Sequence, residues 1–326
     1  MEELFKKLSQ LKVVVLGDVM LDTYWWGSVE RISPEAPVPV VALHEKEIRM
    51  GGAGNVALNT EALGAETFIV SVLGNDDDGI KLQQLFKQNK INTNYLIVSN
   101  NRITTNKVRI ISRNQQMMRL DAETANDISS EEEKNILKKL NELFANHKPD
   151  ILVFEDYNKG VLTESLIGQV IELCKKNNVV TAVDPKRKNF FAFRGVDIFK
   201  PNLKEVKDGL NLLIDEINEN SLQQIHAALQ QKLQHLISFI TLSEKGVYFQ
   251  SSTEHKLIPT YVRHIADVSG AGDTVIATAS LIYAATKNMG LAAEISNIAG
   301  GLVCEEVGTA AINKEKLLSE CKMLLK

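Results

Sequence analysis

Near the C-terminal end of the chain, Gly270, Ala271 and Gly272 lead directly into an acid, Asp273, and an apolar helical pattern follows. Small side chains at such a place leave backbone N–H groups open to an anion, and a helix N-terminus adds partial positive charge. A carboxylate there does not itself attract an anion. It serves either as a helix cap or as a base for a hydroxyl that attacks a bound phosphate. The residues alone leave both readings open. Polar residues follow other apolar runs in the same way. Asp18 and Asp22 come after KVVVLG, Asp156 and Asn158 after ILVFE, and Asp184 after VVTAV. Asn202 and Glu205 come after DIFK, and Ser243, Glu244 and Gly246 after FITL. Any one of them reads equally well as a turn or cap residue. Their recurrence at strand ends points to a shared site, because ligands of open α/β sheets bind beyond the carboxyl ends of the strands.

A second glycine group, Gly51-Gly52-Ala53-Gly54-Asn55, satisfies the loose dinucleotide pattern G-x-G-x-x-A through Ala57. Its context is wrong for a nicotinamide enzyme. The preceding HEKEIRM is charged and is not a buried strand. Close backbone approach to a polar ligand fits better, with Asn55 able to donate and accept. No G-x-x-x-x-G-K-[ST], HExxH or HxGH pattern occurs. Between Arg102 and Arg119 lie Lys107, Arg109 and Arg113, with no acid among them. Strand alternation puts Lys107, Arg109 and Arg113 on one face. That face is either a charged edge strand or a site for an anionic substrate.

Strands alternating with helices must position these residues. KVVVLGD, ETFIVSVLG, ILVFE, VVTAVDP, VDIFKPN and LISFITL read as buried strands, and SSEEEKNILKKLNELFANHKPD as a capped amphipathic helix. The pattern predicts an α/β fold, a doubly wound and mostly parallel sheet, in a single domain over 1–326. Two segments break the alternation, about 23–47 and 97–121, and are read as a small β flap or lid. The chain of 326 residues is 44% hydrophobic and 24% charged with a net charge of −4, which draws it to neither nucleic acid nor a membrane. The start lacks a signal-peptide pattern, and three scattered cysteines suggest buried thiols in a cytoplasmic protein.

The motifs in register resemble the ribokinase-like sugar kinases, the phosphofructokinase-B family. GGAGNVALNTEALGAETFIVSVLG is similar to the first family motif and DVSGAGDTVIA to the second, although Thr278 stands where a small residue is usual. PNLKE resembles the family N-x-x-E at Asn202 and Glu205, and TLSEKG and NIAGGLVCEEVGT resemble nucleotide-side segments. The subfamily likeness of GDVMLDTYWWGSVERISPEAPVPVV, SRNQQMMRLD and DPKRKNF is to kinases of D-glycero-β-D-manno-heptose 7-phosphate. The resemblance implies ATP and Mg²⁺, with Asp273 as base and the amides of Gly270, Ala271 and Gly272 as the anion hole. It implies sugar contacts from Asp18, Asp22, Gly51, Gly52 and Asn55. Asp184 and Lys186 join them through DPKRKNF, and Arg109, Arg113 or Arg119 would hold the 7-phosphate. Ser243, Glu244, Gly246, Asn297 and Gly300 fall beside the nucleotide, with Asn202 and Glu205 on the metal through water. It further implies a homodimer through the lid. Without HxGH, the adenylylation step is expected from a separate protein. A kinase for another sugar, and a non-catalytic sugar- or nucleotide-binding protein on this fold, are the alternatives.

Overall fold

The computed structural model describes residues 1–113, 115–212 and 216–325. After helix α1 (Glu2–Leu8), strand β1 (Lys12–Gly17) runs into two long flap strands, β2 (Val19–Ile32) and β3 (Pro39–Gly52). Helix α2 (Ala53–Ala62), strands β4 (Glu66–Val70) and β5 (Val72–Gly74), and helix α3 (Asp77–Gln88) follow. Next come β6 (Ile97–Ser99), β7 (Thr105–Ser112), β8 (Gln115–Ala122), α4 (Ser130–His147), β9 (Ile151–Glu155), α5 (Glu164–Asn177) and β10 (Val180–Asp184). The last third holds β11 (Ile198–Phe199), α6 (Leu203–Leu210), α7 (Glu219–Leu233), β12 (Ile237–Thr241), β13 (Val247–Gln250), β14 (His255–Ile258), α8 (Ala271–Thr286), α9 (Met289–Val303) and α10 (Lys314–Leu324).

Eight strands form the main sheet in the order β14-β13-β12-β11-β10-β9-β1-β4. All neighbours are parallel except at the β13 and β14 edge. The parallel strands are apolar on both faces, as burial between two helical layers requires. In β1, Val13 and Val15 point into a core shared with α2, α8 and α9, while Val14 and Leu16 point into one shared with α4, α5 and α7. The chain winds one way from β1 to β4 and the other way from β9 onward. This reversal beside β1 opens a crevice at the carboxyl ends of the strands.

The flap is a four-stranded sheet in the order β3-β2-β7-β8, and its Lys107 reaches the loop after β9 at the Tyr157 ring. It begins later than the expected 97, because β6 pairs with β5 in a separate two-stranded sheet. Residues 97–104 therefore lead to the flap and do not form it. Lys107 and Arg109 share a flap face with Asp22 and Tyr24, to which they are matched in register. Arg113 does not join them. It lies in the turn after β7 with φ 48°, where strand alternation no longer applies. Among the described residues no helix is long and apolar enough to cross a membrane.

Candidate active site

Asp273 sits in the first turn of α8, behind an N-cap Gly270 with φ 77°. A side chain at Gly270 would meet the Asn55 amide at 2.6 Å, so the glycine is needed for space as well as for φ. Asp273 is buried and both carboxylate oxygens are held. Asn55 Nδ2 donates to Oδ2 at 2.8 Å and the Tyr157 hydroxyl donates to Oδ1 at 3.0 Å. Burial pushes this carboxyl up to about 6, against the pull of the Asn55 hydrogen bond. A carboxylate tuned this way is a stronger base than a surface aspartate and is still ionised at neutral pH. Neither Asn55 nor Tyr157 caps the helix, and no side-chain capping bond is present at Gly270.

The carboxylates of Glu155, Asp184 and Asp273 lie within 4.8 Å of one another. Two lysines balance them. Lys200 Nζ meets Asp184 at 2.7 Å, and Lys186 Nζ bridges Asp184 at 3.4 Å and Glu205 at 2.6 Å. Burial alone would raise the Asp184 carboxyl, but Lys186 and Lys200 outweigh it and hold it below its ordinary value. Among the described residues, neither oxygen of Glu155 has a hydrogen-bond partner. Burial, then Asp184 and Asp273, drive its carboxyl well up.

A cavity of about 630 Å³ opens from this cluster toward the β12–β13 turn and α9. It brings together Asp184, Lys186, Asn202, Ser243, Glu244, Gly246, Gly270, Ala271, Gly272, Asp273, Asn297 and Gly300 from the sequence set. Gly246 makes the tight turn at φ 93°, and Gly300 gives α9 its close approach to Val275 of α8. Asn297 donates to the Pro259 carbonyl at 2.9 Å.

Other expected residues take different roles. Asp18 is buried, and its carboxylate accepts from the backbone N–H groups of Tyr157, Lys159 and Val161 at 2.9 to 3.0 Å. It anchors a loop instead of presenting free oxygens to a sugar. Gly51 and Gly52 make room for the adjoining flap strand, since a Cβ would fall 2.3 Å from Asp22 and 2.4 Å from the Asp18 carbonyl. Asp22 is ion-paired with Arg109. Arg119 is exposed on β8 and pairs with Asp121 at 2.8 Å, and Arg113 is exposed at the flap tip. Asn202 and Glu205 form a reciprocal capping box on α6, each bonding the other's backbone N–H. With Lys186 on its second oxygen, Glu205 fits Mg²⁺ only through water. The Ala271 N–H donates to the Val268 carbonyl at 3.3 Å, which leaves the first-turn Gly272 N–H as the better anion donor.

Tyr157, Lys200 and Glu155 are additions that sequence reading passed over. Lys200 stands at the end of an apolar strand, directly before Pro201 and Asn202. A lysine with 2% exposure is rarely buried without a partner, so its position in IFKPN was the available signal.

A sequence model of the pfkB family carbohydrate kinases matches residues 10–316. The bifunctional protein HldE of Aliarcobacter butzleri is 40% identical over 94% of this chain, and that of Geobacter sulfurreducens is 36% identical over 97%. The chain spans 63% and 64% of the length of those two relatives. Among solved structures, phosphofructokinase-2 from Escherichia coli superposes with a TM-score of 0.81 at 16% identity, covering 97% of this chain and 100% of that one. Arabidopsis thaliana ribokinase, complexed with ribose and ATP, gives 0.73 at 18% identity over 94% of this chain and 98% of that one. Those two likenesses establish the ribokinase-like fold. With the family match and the HldE relatives, they establish that this chain belongs to the pfkB family of ATP-dependent carbohydrate kinases.

Proposed function

We propose that this chain transfers the γ-phosphate of ATP to the anomeric hydroxyl of D-glycero-β-D-manno-heptose 7-phosphate, giving the 1,7-bisphosphate, a precursor of ADP-heptose. The observation that carries the chemistry is Asp273, held through both oxygens at the mouth of a helix N-terminus. The substrate rests on the HldE relatives and on the subfamily stretches. Asp273 takes the proton from the hydroxyl as that oxygen attacks phosphorus. The Gly272 N–H and the α8 dipole stabilise charge on the transferring group. Lys186 and Lys200 face the cavity and offer cations to the ATP phosphates. Mg²⁺ would be held mainly by those phosphates, which it helps to neutralise, with Glu205 reached through water. Ser243, Gly246 and Asn297 border the nucleotide end of the cavity. A second copy of the chain would cover the outer flap face.

The test is the release of ADP across a panel of heptose and hexose phosphates, with Asp273→Asn beside the wild type. The variant keeps the shape and loses the base. Its kcat should fall roughly 10²- to 10⁴-fold with ATP binding retained. Turnover like the wild type would remove Asp273 from the mechanism. ADP release with a different sugar phosphate alone would redirect the substrate assignment and leave the kinase chemistry in place.

A further inference from the structure

Lys107 on β7 stands in register between Asp22 of β2 and Asp121 of β8, so both acids flank it on the site face of the flap. Each is already engaged. Asp22 is paired with Arg109, and Asp121 with Arg119 at 2.8 Å. The next acid on that side, Glu123, is held by Lys159 at 2.7 Å. Among the described residues no carboxylate oxygen lies within the 4.0 Å ion-pair distance of the Lys107 ammonium. The ammonium instead lies over the Tyr157 ring, 5.3 Å from its centroid, and the hydroxyl of that ring donates to Asp273 at 3.0 Å. Burial first, and then neighbouring Lys159, lower the pKa of Lys107.

A half-buried cation beside a second cation, with every nearby acid already spoken for, costs the folded chain energy unless an anion meets it. Lys186 Nζ also lies over the Tyr157 ring, 5.4 Å from its centroid, but it is held by Asp184 and Glu205, which leaves Lys107 as the ammonium there without an ion pair among the described residues.

We propose that Lys107 recognises the phosphate of a phosphorylated sugar whose acceptor hydroxyl lies at Asp273. This rests on the sugar phosphate kinase reading and names the group that selects the phosphate. An ammonium serves a phosphate monoester as a point charge and hydrogen-bond donor. Arg109, Arg113 and Arg119 are less suited, the first and third being ion-paired and the second lying at the flap tip.

Steady-state kinetics would compare heptose 7-phosphate with the unphosphorylated heptose, for the wild type, Lys107→Met and Lys107→Arg. The readout is the ratio of kcat/KM on the two sugars. Loss of a charged hydrogen bond should lower that ratio roughly 10- to 100-fold in Lys107→Met, through KM for the phosphorylated sugar, and Lys107→Arg should restore most of it. An unchanged ratio, or a fall in kcat shared equally by both sugars, overturns the assignment; the second result would give Lys107 a role in seating Tyr157 only. Should Lys107→Met melt early, Lys107→Gln carries the same comparison. A wild type that prefers the unphosphorylated heptose defeats the underlying substrate reading, and that result is seen before any variant is compared.

Discussion

A carboxylate that takes a proton from a sugar hydroxyl must be ionised and yet more basic than a surface aspartate. As the proposed base, Asp273 meets both demands through burial, which raises its carboxyl to about 6, and through two donors that keep it from rising further. The acidic limb of kcat/KM should therefore fall away below about pH 6. Tyr157→Phe removes one hydrogen bond that favours the ionised form, so the limb should move to higher pH with the protein still folded. A limb that stays in place would separate Tyr157 from the base. The same shift has a stability consequence. A carboxyl raised from 3.8 to about 6 favours folding most below the unfolded value, and that contribution is lost as pH rises through 6. Asp273→Asn should therefore be more heat-stable than the wild type at pH 8, by up to roughly 3 kcal/mol, with the gap closing toward pH 4. Thermal melts at the two pH values check this. The local pattern singled out Asp273 but left cap and base open, and only the family resemblance favoured the base. Asn55 was expected as a sugar contact, but its amide is spent on Asp273, 218 positions away, and Tyr157, 116 away, was not singled out at all. Spacing along the chain carries no signal over that range.

At the scale of elements, the loop after β9 brings Tyr157 to Asp273, and Asp18 after β1 holds that loop. Asp18 Oδ2 accepts two backbone N–H groups, from Tyr157 and Lys159. Asp18→Asn must turn either its amide nitrogen toward those two donors or its oxygen away from Val161. It should thus behave nearly as badly as Asp18→Ala, with a loss of roughly 2–4 kcal/mol in urea unfolding and a lowered kcat. A variant with unchanged stability would show that the loop holds itself. A parallel sheet with helices on both faces was readable because apolar runs alternate with amphipathic helices. Local roles were harder. An N-x-x-E pattern is both a family signature and a helix capping box, and the same atoms of Asn202 and Glu205 complete the box here. Likewise Asp18 follows a strand as a ligand residue would, yet its oxygens are filled by backbone that arrives from beyond residue 155. The fourth residue past Arg109, Arg113, leaves the shared face because the chain turns there with positive φ, which alternation cannot foresee.

On the scale of the whole molecule, the flap has two unlike faces. Toward the crevice it carries Asp22, Tyr24, Lys107 and Arg109. On the other side Val108 is matched with Leu120, and Ile110 with Met118. Leu120 is 46% exposed and Met118 55%. Apolar side chains matched across neighbouring strands form a patch, which a soluble monomer seldom leaves open. A second copy of the chain meeting this face would bury it and brace both flaps over their crevices. Replacing Met118 and Leu120 together by glutamate puts two charges into such an interface and leaves the site face unchanged. The wild type should then sediment as a dimer and the double variant as a monomer, with the main-sheet core intact by circular dichroism. If the dimer also steadies the flap, KM for the sugar should rise more than KM for ATP, because the flap carries Lys107 and the proposed nucleotide end of the cavity lies on α8, α9 and the β12–β13 turn. A wild type that is monomeric at assay concentrations would show that each flap works alone, and the patch would then need another explanation.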